Sequence, residues 1–340
     1  MIQDYPCPVC GGHRWTSVRT HSYCIDEHIP GGQWCENSYI QLRRRVLFEM
    51  WEGSTQVQLT SQYCEDCGFM CFTPRPGEAD IENKYRFLSQ FERETHQRGD
   101  RENEDATVQR DQKRAQQVWQ SLSKVTVLSG KKVLDIGGGN GKLLIPFLDA
   151  QCECSLVDYY NEPLPGITRW GNTVEDIPDD KSFDVLLCNH VLEHVANPLA
   201  FLKSFKPLLR QPTGIMYVEV PLEIWYDIPI AVDPVTHVNF FTLYSLLNLC
   251  RVAGLEVVAH GRRISSYGMY RMPVAWGIAK WKQRDGHTTL VSGIKTAQLI
   301  HPSPMHVLFR ALLVDIPVER SLRPLGRLGR RAFSKITRSS

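Results

Sequence analysis

Between residues 125 and 282, short apolar runs alternate with stretches of helical period. Val133–Ile136, Cys154–Val157, Ile167–Trp170, Phe183–Cys188 and Ile215–Val220 are each four to six residues long, the length of a strand buried on both faces. Such alternation predicts an α/β fold, a parallel sheet covered by helices on both sides. Glu256–Ala259 and Met272–Trp276 read as closing strands. Upstream, Ala79–Phe91 (apolar face Ile81, Tyr85, Leu88) and Asp105–Leu122 (Val108, Ala115, Val118, Trp119) read as charged helices joined by a polar loop, Arg93–Glu104. Downstream, Met305–Val314 is an apolar helix candidate. In Leu322–Ile336 the residues Arg323, Arg327, Arg330, Arg331 and Lys335 interleave with Leu325, Leu328 and Phe333, a basic amphipathic pattern suited to an anionic membrane surface.

These patterns divide the 340 residues into four regions: 1–76, a helical linker or lid at 77–124, the sheet domain at 125–282, and a helical basic tail at 283–340. Hydrophobic content of 42%, charged content of 22% and a net charge of +2 are ordinary for a globular protein and give the whole no polyanion affinity, so no nucleic-acid partner is expected. No apolar run is long enough to span a bilayer, and MIQDYPCPVC has no signal-peptide pattern. The expectation is a cytoplasmic protein with a candidate peripheral membrane contact through its tail; oligomeric state is not legible.

In a reducing compartment, eleven cysteines indicate metal binding and buried thiols over disulfides. Cys7-Pro-Val-Cys10-Gly and Cys64-Glu-Asp-Cys67-Gly are two C-x-x-C turns, each followed by glycine, which together complete a tetrahedral four-thiolate zinc site. Such a site is closed, so the metal is structural. Tyr39–Leu42, Val46–Phe48 and Val57–Leu59 are predicted strands that pin the two turns together. Zinc knuckles also read RNA, and Arg43-Arg44-Arg45 is a local basic run, but region 1–76 as a whole is not strongly basic.

Lys131–Lys142, KKVLDIGGGNGK, is a strand, a glycine-dense turn and a helix start. The dinucleotide frame G-x-G-x-x-G fails, because Lys142 or Leu144 falls at its third glycine. D-x-G-x-G-x-G fits, through Asp135, Gly137, Gly139 and Gly141, with Gly138 between them; Asp158 ends the following strand, where a ribose-binding acid belongs. This pattern resembles the first motif of class I S-adenosylmethionine-dependent methyltransferases. The resemblance implies a Rossmann-like seven-stranded sheet, S-adenosyl-L-methionine as cofactor, Val174 and Glu175 at the adenine, and Asn189 and His190 at the methionine end. Glu193 and His194 are expected on a helix after the fourth strand, in a structural role.

A C-x-x-C pair, a second pair, this cofactor domain and a His-x-x-Phe-Phe segment (His237, Phe240, Phe241) are together similar to sugar C-methyltransferases and related glycan and small-molecule methyltransferases. Those enzymes carry Tyr-His-Glu-His-Phe-Phe, whose Tyr, Glu and second His serve the chemistry; this chain has Thr236, Val238 and Asn239 there. The resemblance therefore implies transfer to a hydroxyl of a sugar, nucleotide-sugar or glycan intermediate, with His237 as base. C-methylation, and an inactive methyltransferase-like zinc-binding scaffold or RNA-binding protein, are the alternative expectations.

Overall fold

The computed structural model describes residues 5–24, 56–86, 104–159, 162–224, 237–267 and 270–282, with residues 290 and 296. The expected strands at 39–48, the Arg43–Arg45 run, most of the 93–104 loop and of the insertion after Leu222, Thr236 and the basic tail lie outside them. Among the described residues, no helix is long and apolar enough to cross a membrane.

The larger sheet contains seven strands: β4 (Lys132–Ile136), β5 (Glu153–Val157), β6 (Ile167–Gly171), β7 (Val185–Asn189), β8 (Ile215–Pro221), β10 (Leu255–Tyr267) and β11 (Tyr270–Trp281). Their order is β10-β11-β8-β7-β4-β5-β6. Neighbours from β8 to β6 pair in parallel, while β11 runs antiparallel to both β8 and β10. The five parallel strands are those the apolar runs predict. The closing pair is a much longer hairpin than its apolar segments suggested, because its polar positions pair as well. The chain leaves β4 toward β5 and β6, then returns to β7 on the other side. That reversal opens a crevice at the carboxyl ends of β4 and β7, where ligands of such sheets bind.

Alternate residues of each strand face opposite layers. Leu134, Ile136, Leu186, Cys188, Met216 and Val218 join one core with Phe69, Cys71, Phe241 and Leu246; Val133, Val185, Leu187 and Tyr217 join another with Val118, Leu122, Leu144 and Phe147. The second layer includes helix α1 (Glu104–Ser123) and the short helix α2 (Ile145–Asp149). Cys152 and Cys154 are buried in it, as expected. Two further helices, α3 (Pro198–Ser204) and α4 (Leu243–Val252), lie in the first layer, and Thr242 caps α4 by accepting from Ser245 N.

The N-terminal region forms its own antiparallel sheet from β1 (Trp15–Cys24), β2 (Gln56–Cys64) and β3 (Met70–Thr73). A fourth strand comes from the other end of the chain: β9 (Asn239–Phe240) pairs Met70 with Phe240 and Cys71 with Asn239. Phe69 meets Phe241 at 5.6 Å and Phe72 meets Phe240 at 5.1 Å between ring centroids, and Asn248 of α4 donates to the Cys67 carbonyl. The cysteine-bearing region thus shares one core with the sheet domain, across the division placed at residue 76.

Glu219, fully buried near the end of β8, gathers a polar cluster. Tyr217 Oη donates to it at 2.7 Å, Arg263 Nη2 pairs with it, and Arg114 Nε and His190 Nε2 lie at 3.5 and 3.3 Å. Burial pushes its carboxyl up, but His190, Arg114 and Arg263 outweigh this and hold it far below the usual carboxylate range. Arg263→Ala would leave that charge short of its closest cation, so global stability should fall by about 3–5 kcal/mol in denaturant melts. A change within about 0.5 kcal/mol would show that Arg114 and His190 suffice.

Candidate active site

The glycine turn follows β4 directly. Gly137, Gly139 and Gly141 have φ of 70°, 58° and 88°, the left-handed region that glycine adopts without strain. Gly138 is required for a different reason: a Cβ there would sit 2.7 Å from the Asp135 carboxylate. Asp158, at the end of β5, accepts from Gly139 N at 2.8 Å, so the two acids and the turn form one unit. Asp135 is fully buried, and neither carboxylate oxygen has a hydrogen-bond partner among the described residues. The Asn189 side chain is in the same condition. Buried polar atoms of this kind need a ligand's partners. Burial, aided by Asp158 and opposed by the charge of Arg114, pushes Asp135 up to about 7.

Val174 and Glu175 lie in a turn that Thr173 and Asp176 cap, with Val174 buried and Glu175 exposed. His190 adopts φ 57° at the end of β7. Its side chain turns to Glu219 at 3.3 Å and to Glu193 at 3.4 Å. Arg114 and Lys142 were not expected at the site. Arg114 is buried on α1, and Lys142 binds Asp111 of the same helix at 3.0 Å, which fixes α1 over the glycine turn. The charge pattern of 105–122 was visible in sequence; its docking was not.

On the acceptor side one expectation is corrected. Glu193 and His194 are not helical but lie in a tight turn, with His194 N donating to Val191 O. The helix is displaced to Pro198 because Asn197 caps it and Pro198 opens it. The turn is held from outside. Val238 N and Asn239 N both donate to Glu193 O, and the Asn239 amide donates to the Leu192 and Val195 carbonyls at 2.8 and 2.7 Å. Arg75 binds Asn239 Oδ1 at 2.9 Å and the Ala196 carbonyl. This lattice sets the His237 ring 4.8 Å from that of His194, edge to face.

His237 Nδ1 is 2.6 Å from Glu223 Oε2. A carboxylate only accepts, so Nδ1 carries a proton, and in the neutral imidazole Nε2 then keeps a lone pair. Above them Tyr85 stacks on Tyr159 at 5.9 Å, nearly parallel, and meets His194 edge-on at 6.5 Å. The sequence offered Tyr85 only as one apolar residue of a charged helix, and Glu223 carried no signal at all.

The four cysteines converge as predicted. Cys7 and Cys67, and Cys10 and Cys64, lie with sulfurs 3.6 Å apart. Four thiolates about 2.3 Å from a zinc ion are about 3.8 Å from one another, so the donor set and its spacing fit the metal. The two turns are built alike: Gly11 and Gly68, both at φ 75°, return hydrogen bonds to Cys7 O and Cys64 O.

Residues 108–260 match a family model described as a methyltransferase domain. Among curated proteins, the ubiquinone biosynthesis O-methyltransferases of Actinobacillus pleuropneumoniae serotype 7 and Haemophilus ducreyi are 32% and 34% identical over 111 and 113 residues. Each alignment covers 28% of this chain, and 47% and 48% of the relative, so the chain spans about half the length of the curated relatives it matches. A solved structure of the Burkholderia thailandensis 1,6-didemethyltoxoflavin-N1-methyltransferase is 18% identical, covering 66% of this chain and 96% of that one, with a TM-score of 0.45. The strand order is that of a Rossmann-like α/β sheet, and the stretch that matches the methyltransferase-domain model, 108–260, spans its five parallel strands.

Two outcomes follow for the bound groups. Below about pH 7 Asp135 holds a proton that a cationic cofactor group must displace, so S-adenosylmethionine affinity should rise with pH between about 5.5 and 7.5. Asp135→Asn should flatten that rise in calorimetry. Cys64→Ser should remove one zinc equivalent in elemental analysis and destabilise the N-terminal sheet; full zinc retention would place the ligands elsewhere.

Proposed function

We propose that this protein is an S-adenosylmethionine-dependent methyltransferase that transfers its methyl group to a hydroxyl of a small, ring-shaped acceptor, a sugar, nucleotide sugar or glycan intermediate. A four-cysteine structural zinc site completes the N-terminal sheet. The observation that carries this reading is His237: its Nδ1 is held by Glu223, and its loop is fastened beside the carboxyl ends of β7 and β8.

The residues fit the cofactor. Asp135 and Asn189 supply buried acceptors for its amino group, the Arg114 guanidinium answers its carboxylate, and Asp158 takes the ribose hydroxyls while bracing Gly139. Val174 and Glu175 lie where adenine would rest. The bound sulfonium supplies an activated methyl group. The protein's part is to orient the acceptor oxygen and take its proton. Nε2 of His237 is the base, and Glu223 stabilises the imidazolium as it forms.

The flat face of the Tyr85–Tyr159 pair suits a ring, and the curated relatives' description as O-methyltransferases supports oxygen as the acceptor atom. Asn239 supports the same choice. Where C-methyltransferases keep a reactive histidine, its amide is spent on the Leu192 and Val195 carbonyls. Buried Val238 offers no acid or base.

With full-length protein, labelled S-adenosylmethionine and a panel of sugars, nucleotide sugars and glycan intermediates, mass spectrometry should find one added methyl on oxygen. His237→Ala should lower turnover about 10²–10⁴-fold with cofactor affinity intact. Methyl on carbon would reject the hydroxyl acceptor. Near-normal turnover in His237→Ala would remove the base.

A further inference from the structure

Glu193 is unusual even among the buried acids of this site. Its carboxylate is wholly buried, and neither oxygen makes a hydrogen bond among the described residues. It is surrounded by imidazoles instead. His190 Nδ1 lies at 3.4 Å and His194 Nε2 at 3.8 Å, and the His237 ring stacks edge-on against His194.

One ligand atom from each of Glu193, His194 and His237 lies within 4.8 Å of the other two. Two ligands each about 2.1 Å from one cation are about 3–4 Å apart, and the 3.8 Å between His194 Nε2 and Glu193 Oε1 falls in that range. The supporting shell is also present. A metal-ligating histidine usually gives its other ring N–H to a carboxylate, as His237 Nδ1 does to Glu223 at 2.6 Å. His190 braces Glu193 from behind and is anchored on Glu219.

We propose that Glu193, His194 and His237 form an open, two-histidine, one-carboxylate site for a divalent first-row cation, on which the acceptor's hydroxyl oxygen docks. Three protein ligands leave positions open for oxygen donors, unlike the closed four-thiolate site about which the N-terminal sheet folds. The docking of the acceptor rests on the methyl-transfer reading; the cation site does not. A cation-bound hydroxyl loses its proton to water more readily, the resulting oxygen forms the O–CH3 bond as the S–CH3 bond breaks, and the sulfonium leaves as a neutral thioether. His237 is then a ligand through Nε2, and acts as the base only where no cation is bound.

The test uses the full chain with zinc already in the thiolate site. Mn2+, which avoids thiolates, is titrated by electron paramagnetic resonance, and Zn2+ by calorimetry. Wild type should bind one further equivalent. Glu193→Gln and His194→Gln should each weaken it at least tenfold while S-adenosylmethionine affinity stays unchanged, and that affinity also reports that each variant is folded. Should Glu193→Gln fail to fold, His194→Gln, whose ring is partly exposed, carries the test. No further equivalent of either cation, or wild-type binding in the folded variants, overturns the site. Methyl transfer on the same samples separates the two readings. Chelator-insensitive, His237-dependent transfer without cation binding leaves the base reading standing alone. Cation binding without transfer to any acceptor leaves the site and removes the acceptor's docking.

Discussion

The acceptor side depends on a two-residue pairing. β3, from the cysteine-bearing region, and β9, from the far side of the sheet domain, pair at Met70–Phe240 and Cys71–Asn239. Around that contact, Phe69, Phe72, Phe240 and Phe241 exclude water, and Arg75 and Asn239 reach past it to the carbonyls of the 192–196 turn. Glu193, His194 and His237 owe their positions to this lattice. A bound zinc would therefore matter beyond its own region: it fixes Cys64 and Cys67, which precede β3, and β3 fixes the loop carrying His237. A fault at the thiolates should reach the chemistry with no residue of the site itself changed.

The cofactor side rests on buried charge. Asp135, Glu193 and Glu219 lie near the carboxyl edge of one sheet, and all three are wholly excluded from water. They are satisfied differently. Glu219 is saturated by Tyr217, Arg263, Arg114 and His190 and acts as a structural anchor. Asp135 and Glu193 have oxygens that no hydrogen bond reaches. A desolvated carboxylate without full compensation is costly, so its persistence marks a place where a ligand completes the shell. His190 and Arg114 each touch more than one of these acids electrostatically, which couples the cofactor crevice to the acceptor turn through a few rigid side chains.

The sheet and its parallel strands, the glycine turn and the cysteine cluster were legible in the residues. The parallel strands were, because a strand buried on both faces must be a continuous apolar run. The glycine turn with Asp135 and Asp158 was, because left-handed backbone and a hydrogen-bonding acid admit few residue types at fixed spacing. So was the four-cysteine cluster, because a C-x-x-C turn is local. Three things only the tertiary structure decided. The 192–195 turn looked like a helix because its apolar residues have helical spacing, and contacts from Asn239 and Arg75, distant in sequence, unwind it. Glu223 and Tyr85 gave no signal, since one acid and one aromatic acquire a role only by meeting His237 and His194. The union of the N-terminal sheet with β9 joins residues 170 positions apart at Met70–Phe240 and 168 apart at Cys71–Asn239, which no local pattern encodes. Sequence fixes what a segment of backbone can do by itself; the partners of buried polar groups are chosen when distant segments close over them.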